Sequence, residues 1–580
     1  MPWQAKAAAK RASVLAKIPP EWRLSEADLD RASKQRDLTG AFIEQFLTVE
    51  EIAIISQASV SLVAQIREGK YSAVQVTRAF CKTAAIAHQI VSEFDSSTSI
   101  LRADDWQNPC LHEIFFDQAL DRAKELDEYF ATHGTTTGPL HGLPISLKDQ
   151  FHVKGNDTTM GYVGWIGTYE GRQDPSLVHN VNSQVVSELL GLGAVLYCKT
   201  SLAQTLLIGE TANNIIGQTL NPFNRNLSCG GSSGGEGALQ ALRGSSVGVG
   251  TDIGMASLLV YILRHCLDIF QGGSIRIPAA FCGVFGIKPS RNRFSYRDVA
   301  NVIPGQTTYA SSVGFLGTTI DALRLIMTAV LSTQPWHRDP SVVPLPWRQD
   351  IVDATLVVEW TPPSHITGKK VNLGFLTADG GHDIHNQLRL SEEPLIPQQR
   401  EVLQLTDPIS LLEYHALTVE GRDYEAAYLD YWNATADEDG LQPVPSLGVC
   451  QTVDAVIMPV APHAAVIPGK YYHTGYTGAI NVLDYSSVVI PVTKADKHLD
   501  QRDKDFEPVN ELDALNWQAY DPDIYDGAPI GIQIVARKYE EEKVWAVGRI
   551  VDAILRTAGI DVNTGSNTTG QCAGGWGSKL

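Results

Sequence analysis

The sequence predicts an α/β fold around one central β-sheet. Helical and strand-like patterns alternate along the 580 residues, and no fixed-period repeat is found. The chain is 44% hydrophobic and 19% charged, which is typical of a large globular protein with a sizeable core. Large mixed α/β enzymes often fold as one unit, so one large domain is expected despite the length.

The first 70 residues predict an N-terminal helical arm. Leu24-Ser25-Glu26 is typical of a helix start, and the helical spacing of apolar residues continues from Leu47 to Gln65. The first twenty residues lack the apolar run of a signal peptide, so a surface helix is expected there. Residues 111–130 combine apolar residues at helical spacing with acidic–basic pairs, and they predict a further helix.

Strands and helices alternate through the rest of the chain. Gly and Pro punctuate a short apolar strand from Pro144 to Leu147, and residues 185–196 predict a helix that runs into a strand. Residues 335–373 are rich in Pro and Trp and are expected to form an irregular linker. The later predicted elements are a helix over 411–431 and apolar strands over 455–460 and 530–535.

Charge and cysteine usage exclude several classes of function. The net charge of -19 argues against a nucleic-acid partner, which requires a basic face. The eight cysteines are scattered without a C-x-x-C pair, so neither a metal site nor a disulfide framework is predicted, and a reducing, cytoplasmic location is expected. The longest apolar run, Met255 to Leu263, is far shorter than the roughly 20 residues of a membrane span.

A Gly/Ser-rich segment, Cys229–Gly237 (CGGSSGGEG), is the richest in candidate chemistry. Its glycines allow a tight turn that directs backbone N–H groups at one point. Three interpretations are open from this segment alone: a flexible loop, a phosphate cradle that lacks the closing Lys-Ser/Thr, and the G-x-S-x-G nucleophile loop of an α/β-hydrolase with a Ser-His-Asp triad.

The neighbouring motifs resemble those of the amidase signature family, most closely its fungal acetamidase-like branch. The matching segments are Leu143–Asp149 (LPISLKD), Cys229–Gly237, Gly250–Gly254 (GTDIG), Gly273–Ala280 (GSIRIPAA), and residues 203–225, 281–289 and 456–492. The resemblance extends from about residue 70 to 555. It implies the amidase signature fold, a central mixed twisted β-sheet covered by helices on both faces. It also implies a single domain over 71–560, followed by a flexible C-terminal tail over 561–580.

The resemblance implies an amidase that hydrolyses the C–N bond of small to medium carboxamides through an acyl-enzyme. Ser274 would be the nucleophile, and Ser232, held by a cis peptide bond, would relay its proton to Lys148. A serine needs a base, and a lysine can serve only if burial lowers its pKa enough to make the amine neutral. No metal or organic cofactor is implied, and the partner is a small amide. Dimers are common in the family, so a homodimer is one candidate assembly, and the sequence leaves the oligomeric state open.

The same resemblance assigns further site residues. The expected oxyanion donors are the backbone N–H groups of Ile253, Gly254, Gly273 and Ser274, and Leu206 matches a substrate-lining position. Ser233, Asp252 and Arg276 are expected to support the loop. Losing one oxyanion donor typically costs about 10²–10³ in rate.

The chain departs from the family pattern at three places. Residues 255–272 separate GTDIG from Gly273-Ser274, residues 91–107 form a second predicted insert, and a family segment is missing near 375–376, after Lys369–Phe375. Both inserts have splice-compatible ends, so the hypotheses are retained introns, a decayed paralogue or genuine insertions, which transcript sequencing would separate. A catalytically impaired amidase-fold protein is therefore the alternative function, and a long-chain acyl-amide hydrolase is a less favoured relative.

Overall fold

The computed structural model describes residues 1–91, 109–253, 272–306, 308–352, 375, 377–400, 403–434, 453–473 and 475–559. The helices are α1 Trp3–Ala16, α2 Glu26–Ser33, α3 Ala41–Glu44, α4 Val49–Ile55, α5 Ser59–Arg67, α6 Ala73–Ile90, α7 Phe116–His133, α8 Gln184–Gly191, α9 Gly234–Ala241, α10 Arg276–Phe281, α11 Ile320–Ser332, α12 Gln349–Val352, α13 His382–Arg389, α14 Leu411–Asn433, α15 Gly475–Val482, α16 Glu511–Ala519, α17 Pro522–Tyr525 and α18 Glu541–Thr557. The strands are β1 Leu111–Ile114, β2 Pro144–Lys148, β3 Val195–Thr200, β4 Ala212–Asn213, β5 Gly217–Gln218, β6 Val247–Asp252, β7 Phe285–Lys288, β8 Ser312–Gly317, β9 Val456–Pro459, β10 Ser486–Lys494 and β11 Pro529–Ala536.

Among the described residues, nine strands form one mixed sheet in the order β1-β3-β2-β6-β8-β7-β10-β11-β9. The pairs β3–β2 and β2–β6 are parallel, and the other neighbours are antiparallel. Strand β10 shows how both faces are covered. Val488 and Ile490 join a core cluster with α18, whereas Val489 joins a second cluster with α10. Because alternate residues of a strand point to opposite faces, helices cover both sides of the sheet, and the predicted α/β fold is confirmed.

The predicted helix over 111–130 is wrong at its beginning. Leu111–Ile114 is a strand that pairs antiparallel with β3, and the helix begins only at Phe116. The apolar residues of this stretch fit a helical spacing, but all four strand residues are buried. Pairing with the edge of the sheet therefore decides the local structure, because tertiary burial overrides a weak local pattern.

The N-terminal arm consists of helices α1 to α5 packed against the main body. Ser25 caps α2, as the sequence predicts, by accepting a hydrogen bond from the Asp28 N–H at 3.2 Å. On α1, the buried Lys10 ammonium contacts Glu113 and lies 2.8 Å from Asp157. These ion pairs attach the first helix of the chain to strand β1 and to the loop that follows β2.

The helical pattern from Leu47 to Gln65 is divided into α4 and α5, which are bent by 112°. In the described part of the chain, no single helix is long and apolar enough to cross a membrane, and only this bent pair passes by length and composition. The predicted linker contains a 3₁₀ turn, Pro335–His337, and helix α12, while its residues 353–373 lie outside the described residues. Residues 92–107, 255–271 and 561–580 lie outside them as well.

The sheet brings the carboxyl ends of two motif-bearing strands, β2 and β6, to one edge. Strands β2 and β6 are parallel neighbours, with Ser146 opposite Gly248 and Leu147 opposite Val249. Both strands therefore end at the same edge of the sheet, where β2 ends at Lys148. Crevices beyond the carboxyl ends of parallel strands are frequent binding sites in α/β folds.

Candidate active site

Lys148 is fully buried at the end of strand β2. Its Nζ donates hydrogen bonds to Ser232 Oγ at 2.8 Å and to Thr251 Oγ1 at 3.0 Å. The Thr251 hydroxyl in turn donates to the side chain of Gln150. The lysine is therefore held in one position by two hydroxyl groups rather than by a carboxylate partner.

Electrostatics favour a neutral form of this lysine near physiological pH. Burial lowers the pKa of Lys148 to about 7, although the carboxylates of Asp252 and Glu236 act in the opposite direction. A second buried lysine shows the contrast: Lys199 Nζ lies 2.6 Å from Asp149 Oδ1. The two lysines lie on neighbouring strands, but only Lys199 has a directly bonded carboxylate partner.

Ser232 lies in the Gly/Ser-rich loop that enters helix α9. The peptide bond between Gly231 and Ser232 is cis. At Gly231 a Cβ atom would lie 2.6 Å from the backbone of Glu210, so this approach requires glycine. The loop thus places the Ser232 hydroxyl between Lys148 and Ser274.

Ser274 completes a line of three side chains. Its Oγ lies 2.8 Å from Ser232 Oγ, and both serines are buried. The neighbouring Ser233 connects the two segments, because its N–H donates to the Ser274 carbonyl oxygen at 3.0 Å and its hydroxyl donates to the Thr251 carbonyl oxygen at 3.2 Å. The structure therefore brings Lys148, Ser232 and Ser274 together across three separate segments of the chain.

Asp252 and Arg276 form a buried ion pair below the nucleophile. Arg276 Nε lies 3.2 Å from Asp252 Oδ2, and the guanidinium also donates to Gln533 Oε1 at 3.0 Å. Burial raises the pKa of Asp252, but the cations of Arg276 and Lys288 outweigh this effect and keep it below its ordinary value. Both residues therefore have the surroundings of supporting residues.

The predicted oxyanion donors differ in their surroundings. The Gly273 N–H donates to Asp252 Oδ1 at 2.8 Å, so it is directed at a carboxylate, and its role as an oxyanion donor is not supported by this geometry. For the N–H groups of Ile253 and Ser274, no acceptor is found within the described segments. Gly254 lies outside the described residues. As far as the described residues show, the N–H groups of Ile253 and Ser274 are therefore the remaining candidate donors.

Leu206 lies in the segment beside the relay serine. Ala203 N–H donates to the Ser232 carbonyl oxygen at 3.4 Å, and Leu206 N–H donates to the Ala203 carbonyl oxygen at 3.0 Å. Leu206 is buried in the same apolar cluster as Ile253 and has a positive φ of 67°. Its position is compatible with one wall of a substrate site near Ile253.

Several residues of this site were not singled out from the sequence. They are Gln150, Thr251, Glu236, Thr477 and Asn481. Thr251 lies within the GTDIG motif, and Thr477 and Asn481 lie within the matching segment 456–492, so the signal was proximity to a motif rather than a pattern of their own. Within the described residues, no group of three or more His, Cys, Asp or Glu side chains could hold a metal ion.

Comparisons with known proteins identify the family of this chain. The family model described as Amidase matches residues 97–257, 271–398 and 357–545, and the unmatched residues 258–270 fall within the predicted insert 255–272. The acetamidase of Emericella nidulans is 36% identical over an aligned length of 601 residues. The alignment covers 95% of this chain and 98% of the relative. The acetamidase of Aspergillus oryzae is 37% identical, with 95% of this chain and 99% of the relative covered.

Solved structures show the same architecture. Fatty acid amide hydrolase superposes with a TM-score of 0.80 at 29% identity, covering 97% of this chain and 96% of that one. Peptide amidase from Stenotrophomonas maltophilia has a TM-score of 0.58 at 18% identity, with 86% and 97% covered, which shows a shared fold alone. The fold expected from the sequence motifs is confirmed by this likeness.

Proposed function

Because this chain belongs to the amidase family and is a hydrolase of amide C–N bonds, we propose that it cleaves small to medium carboxamides through an acyl-enzyme formed on Ser274. The products would be a carboxylic acid and ammonia or an amine. The observation that carries the proposal is the buried line from Lys148 Nζ to Ser232 Oγ to Ser274 Oγ, with 2.8 Å at each step.

The first step needs a neutral lysine and an ordered proton transfer. Ser274 Oγ attacks the amide carbon while its proton passes to Ser232 Oγ, and the Ser232 proton passes to Lys148 Nζ. When the C–N bond breaks, the same path in reverse delivers a proton to the leaving nitrogen. The pKa of about 7 suits this role, because a lysine poised near the working pH can both accept and donate a proton.

The carbonyl oxygen gains negative charge as Ser274 attacks. We assign its stabilisation to the N–H groups of Ile253 and Ser274, with Gly254 as a third candidate beyond the described residues. In the second step water attacks the acyl carbon, Lys148 accepts a water proton through Ser232, and Ser274 leaves with a proton. Every proton transfer in the two steps uses a side chain of this chain.

The relatives support a small substrate more than a long-chain one. The two proteins named acetamidase are 36% and 37% identical to this chain, whereas fatty acid amide hydrolase is 29% identical. We therefore propose acetamide-like amides as the first substrates to test. We also propose a reducing, cytoplasmic setting, because the five described cysteines are all buried and free.

The test combines ammonia release from acetamide with fluorophosphonate labelling. The wild-type chain should do both, and Ser274→Ala should abolish labelling and lower kcat on the order of 10⁴-fold or more. Ser232→Ala should slow labelling but leave Ser274 as the labelled residue. A label on Ser232 would overturn the assignment in favour of a different hydrolase mechanism. A folded wild-type chain that neither labels nor hydrolyses would favour the catalytically impaired alternative, which the comparisons do not favour.

A further inference from the structure

Helix α15 lies against both ends of the sequence interruption that separates the oxyanion segment from the nucleophile. Residues 254–271 lie between Ile253 and Gly272 in the sequence. Side chains of Thr477 and Asn481, about two hundred residues later, contact the backbone on both sides of this interval. The mechanism proposed above does not use either side chain.

Thr477 fixes the peptide unit between Gly272 and Gly273, shortly before Ser274. Its hydroxyl donates to the Gly272 carbonyl oxygen at 2.6 Å, while the N–H of the same peptide, on Gly273, donates to Asp252 Oδ1 at 2.8 Å. Gly273 has a φ of +115°, and a Cβ atom there would lie 2.7 Å from the Thr477 side chain. Because both polar atoms of this peptide are bonded to side chains, its plane cannot rotate freely, and it directs the Ser274 N–H that follows it.

Asn481 connects the other end of the interval to the same group. Its Nδ2 donates to the Ile253 carbonyl oxygen and, at 2.7 Å, to Asp252 Oδ1. Its Oδ1 accepts from the Arg276 guanidinium, which completes its hydrogen bonding. The side chain also packs against Gly272, where a Cβ atom would lie 2.6 Å from Asn481 Cγ. One buried amide therefore contacts both Ile253 and the segment that leads to Ser274.

We propose that Thr477 and Asn481 are positioning residues that hold the Ile253 and Ser274 N–H groups at the spacing needed to bind one oxyanion. This inference rests on the proposed function. In this chain twenty residues, 254–273, lie between these donors, so their spacing is set by contacts through space. Neither side chain needs to touch the substrate. Loss of either one should raise the transition-state energy more than the energy of substrate binding.

The test uses matched variants of the full chain with acetamide as substrate. Thr477→Val keeps the size of the side chain but removes the hydroxyl, and it should lower kcat about tenfold with little change in KM, since a small misplacement of reacting groups is costly. Thr477→Ser restores the hydroxyl and should recover kcat to within about twofold of wild type. Asn481→Ala removes three hydrogen bonds and should lower kcat about 100-fold.

A distant threonine provides the control. The buried Thr83 hydroxyl donates to the Ala79 carbonyl oxygen at 2.8 Å within α6, so Thr83→Val removes a similar bond and should leave kcat unchanged. Rates are normalised to the sites labelled by fluorophosphonate, which removes any loss of folded protein from the comparison. The rate constant of labelling should fall in Thr477→Val in parallel with kcat.

The outcomes separate this inference from the proposed function. A Thr477→Val variant with wild-type kcat per labelled site overturns the positioning role, as does a loss that Thr477→Ser does not recover. If Ser274→Ala keeps full activity, the proposed function fails and the positioning role fails with it. A wild-type chain that neither labels nor hydrolyses overturns both.

Discussion

The relay half and the nucleophile half of the candidate site are built in different ways. The relay half consists of Lys148 and Ser232, which lie in uninterrupted motifs on the end of β2 and the loop before α9. The nucleophile half consists of Asp252-Ile253 and Gly273-Ser274, which are separated in sequence by residues 254–271. The first half depends on neighbouring strand ends and local turns, and the second depends on helix α15.

This difference shows what an interruption does to a catalytic motif. Insertion of residues between two halves of a loop removes the covalent constraint on their spacing, but side-chain contacts from elsewhere can replace it. Here Asp252 contacts Gly273, Arg276 and Asn481, so the two ends share one buried carboxylate. Activity should therefore be sensitive to changes of charge in the relay half. In the nucleophile half it should be sensitive to changes of packing against α15.

The largest effect on the relay half is expected from replacing its base. Lys148→Ala should lower kcat by about 10³-fold, because proton transfer by a positioned base contributes about 10²–10⁴. Lys148→Arg should lose nearly as much, because a guanidinium keeps the positive charge but has no neutral form at working pH. The measurement is kcat on acetamide, and an arginine variant with more than about a tenth of wild-type kcat would contradict the base role.

In the nucleophile half, Gly273→Ala should cost about 100-fold in kcat and lower the Tm. The residue has a φ of +115°, and a Cβ atom would lie 2.7 Å from Thr477 and 2.9 Å from Ile277. Gly191→Ala is the matched control, since a Cβ atom there meets nothing within 4 Å, and this variant should keep both kcat and Tm. Equal behaviour of the two variants would show that α15 does not restrict this segment.

The pH profile should report the relay half alone. Lys148 acts as a base when neutral, and its pKa is lowered to about 7 by burial. The value of kcat/KM should therefore rise with pH, about tenfold per unit below pH 7, and level off above it. Positioning variants in α15 should lower the maximal kcat/KM above pH 7 without changing the pH at which kcat/KM begins to fall. A fall of kcat/KM that begins near the ordinary pKa of lysine would contradict a buried neutral base.

The smallest expected effect is a shift, in the Glu236→Gln variant, of the pH at which kcat/KM falls. Glu236 is buried, its own pKa is raised to about 7 by burial, and its charge raises the pKa of Lys148. Removal of the charge should lower the pKa of the lysine, so the fall in kcat/KM at acid pH should move to lower pH. A shift to higher pH, measured on the same substrate, would show that the titration of another group determines the fall in kcat/KM.

The family resemblance assigned both halves of the candidate site, whereas local patterns alone left the Gly/Ser loop open to three interpretations. An apolar run that ends in lysine is readable from a few adjacent residues. Thr477 and Asn481 have no such signal, because their role depends on contacts with residues about two hundred positions earlier. The hydrogen bond from the Gly273 N–H to Asp252 likewise has no signal in the adjacent residues, and Gly273 was expected among the oxyanion donors from the resemblance alone.

The fold shows the same division between local and long-range information. The helix start at Leu24–Glu26 and the strand before Lys148 follow from adjacent residues, and both predictions are confirmed. Leu111–Ile114 forms a strand because β3 lies beside it, and residues 111–130 alone contain no sign of that neighbour. The break between α4, which ends at Ile55, and α5, which begins at Ser59, likewise does not follow from the helical spacing of their apolar residues.

The order in which the chain is synthesised has a consequence for the nucleophile segment. Arg276 bonds to Thr477 and Gln533, which lie 201 and 257 residues further along the chain. At translation rates of about 5–20 residues per second, these partners are synthesised about 10–50 s after Arg276. Strand β7 also pairs with β10, which is synthesised about two hundred residues later. The candidate site can therefore be completed only after nearly the whole chain has been synthesised.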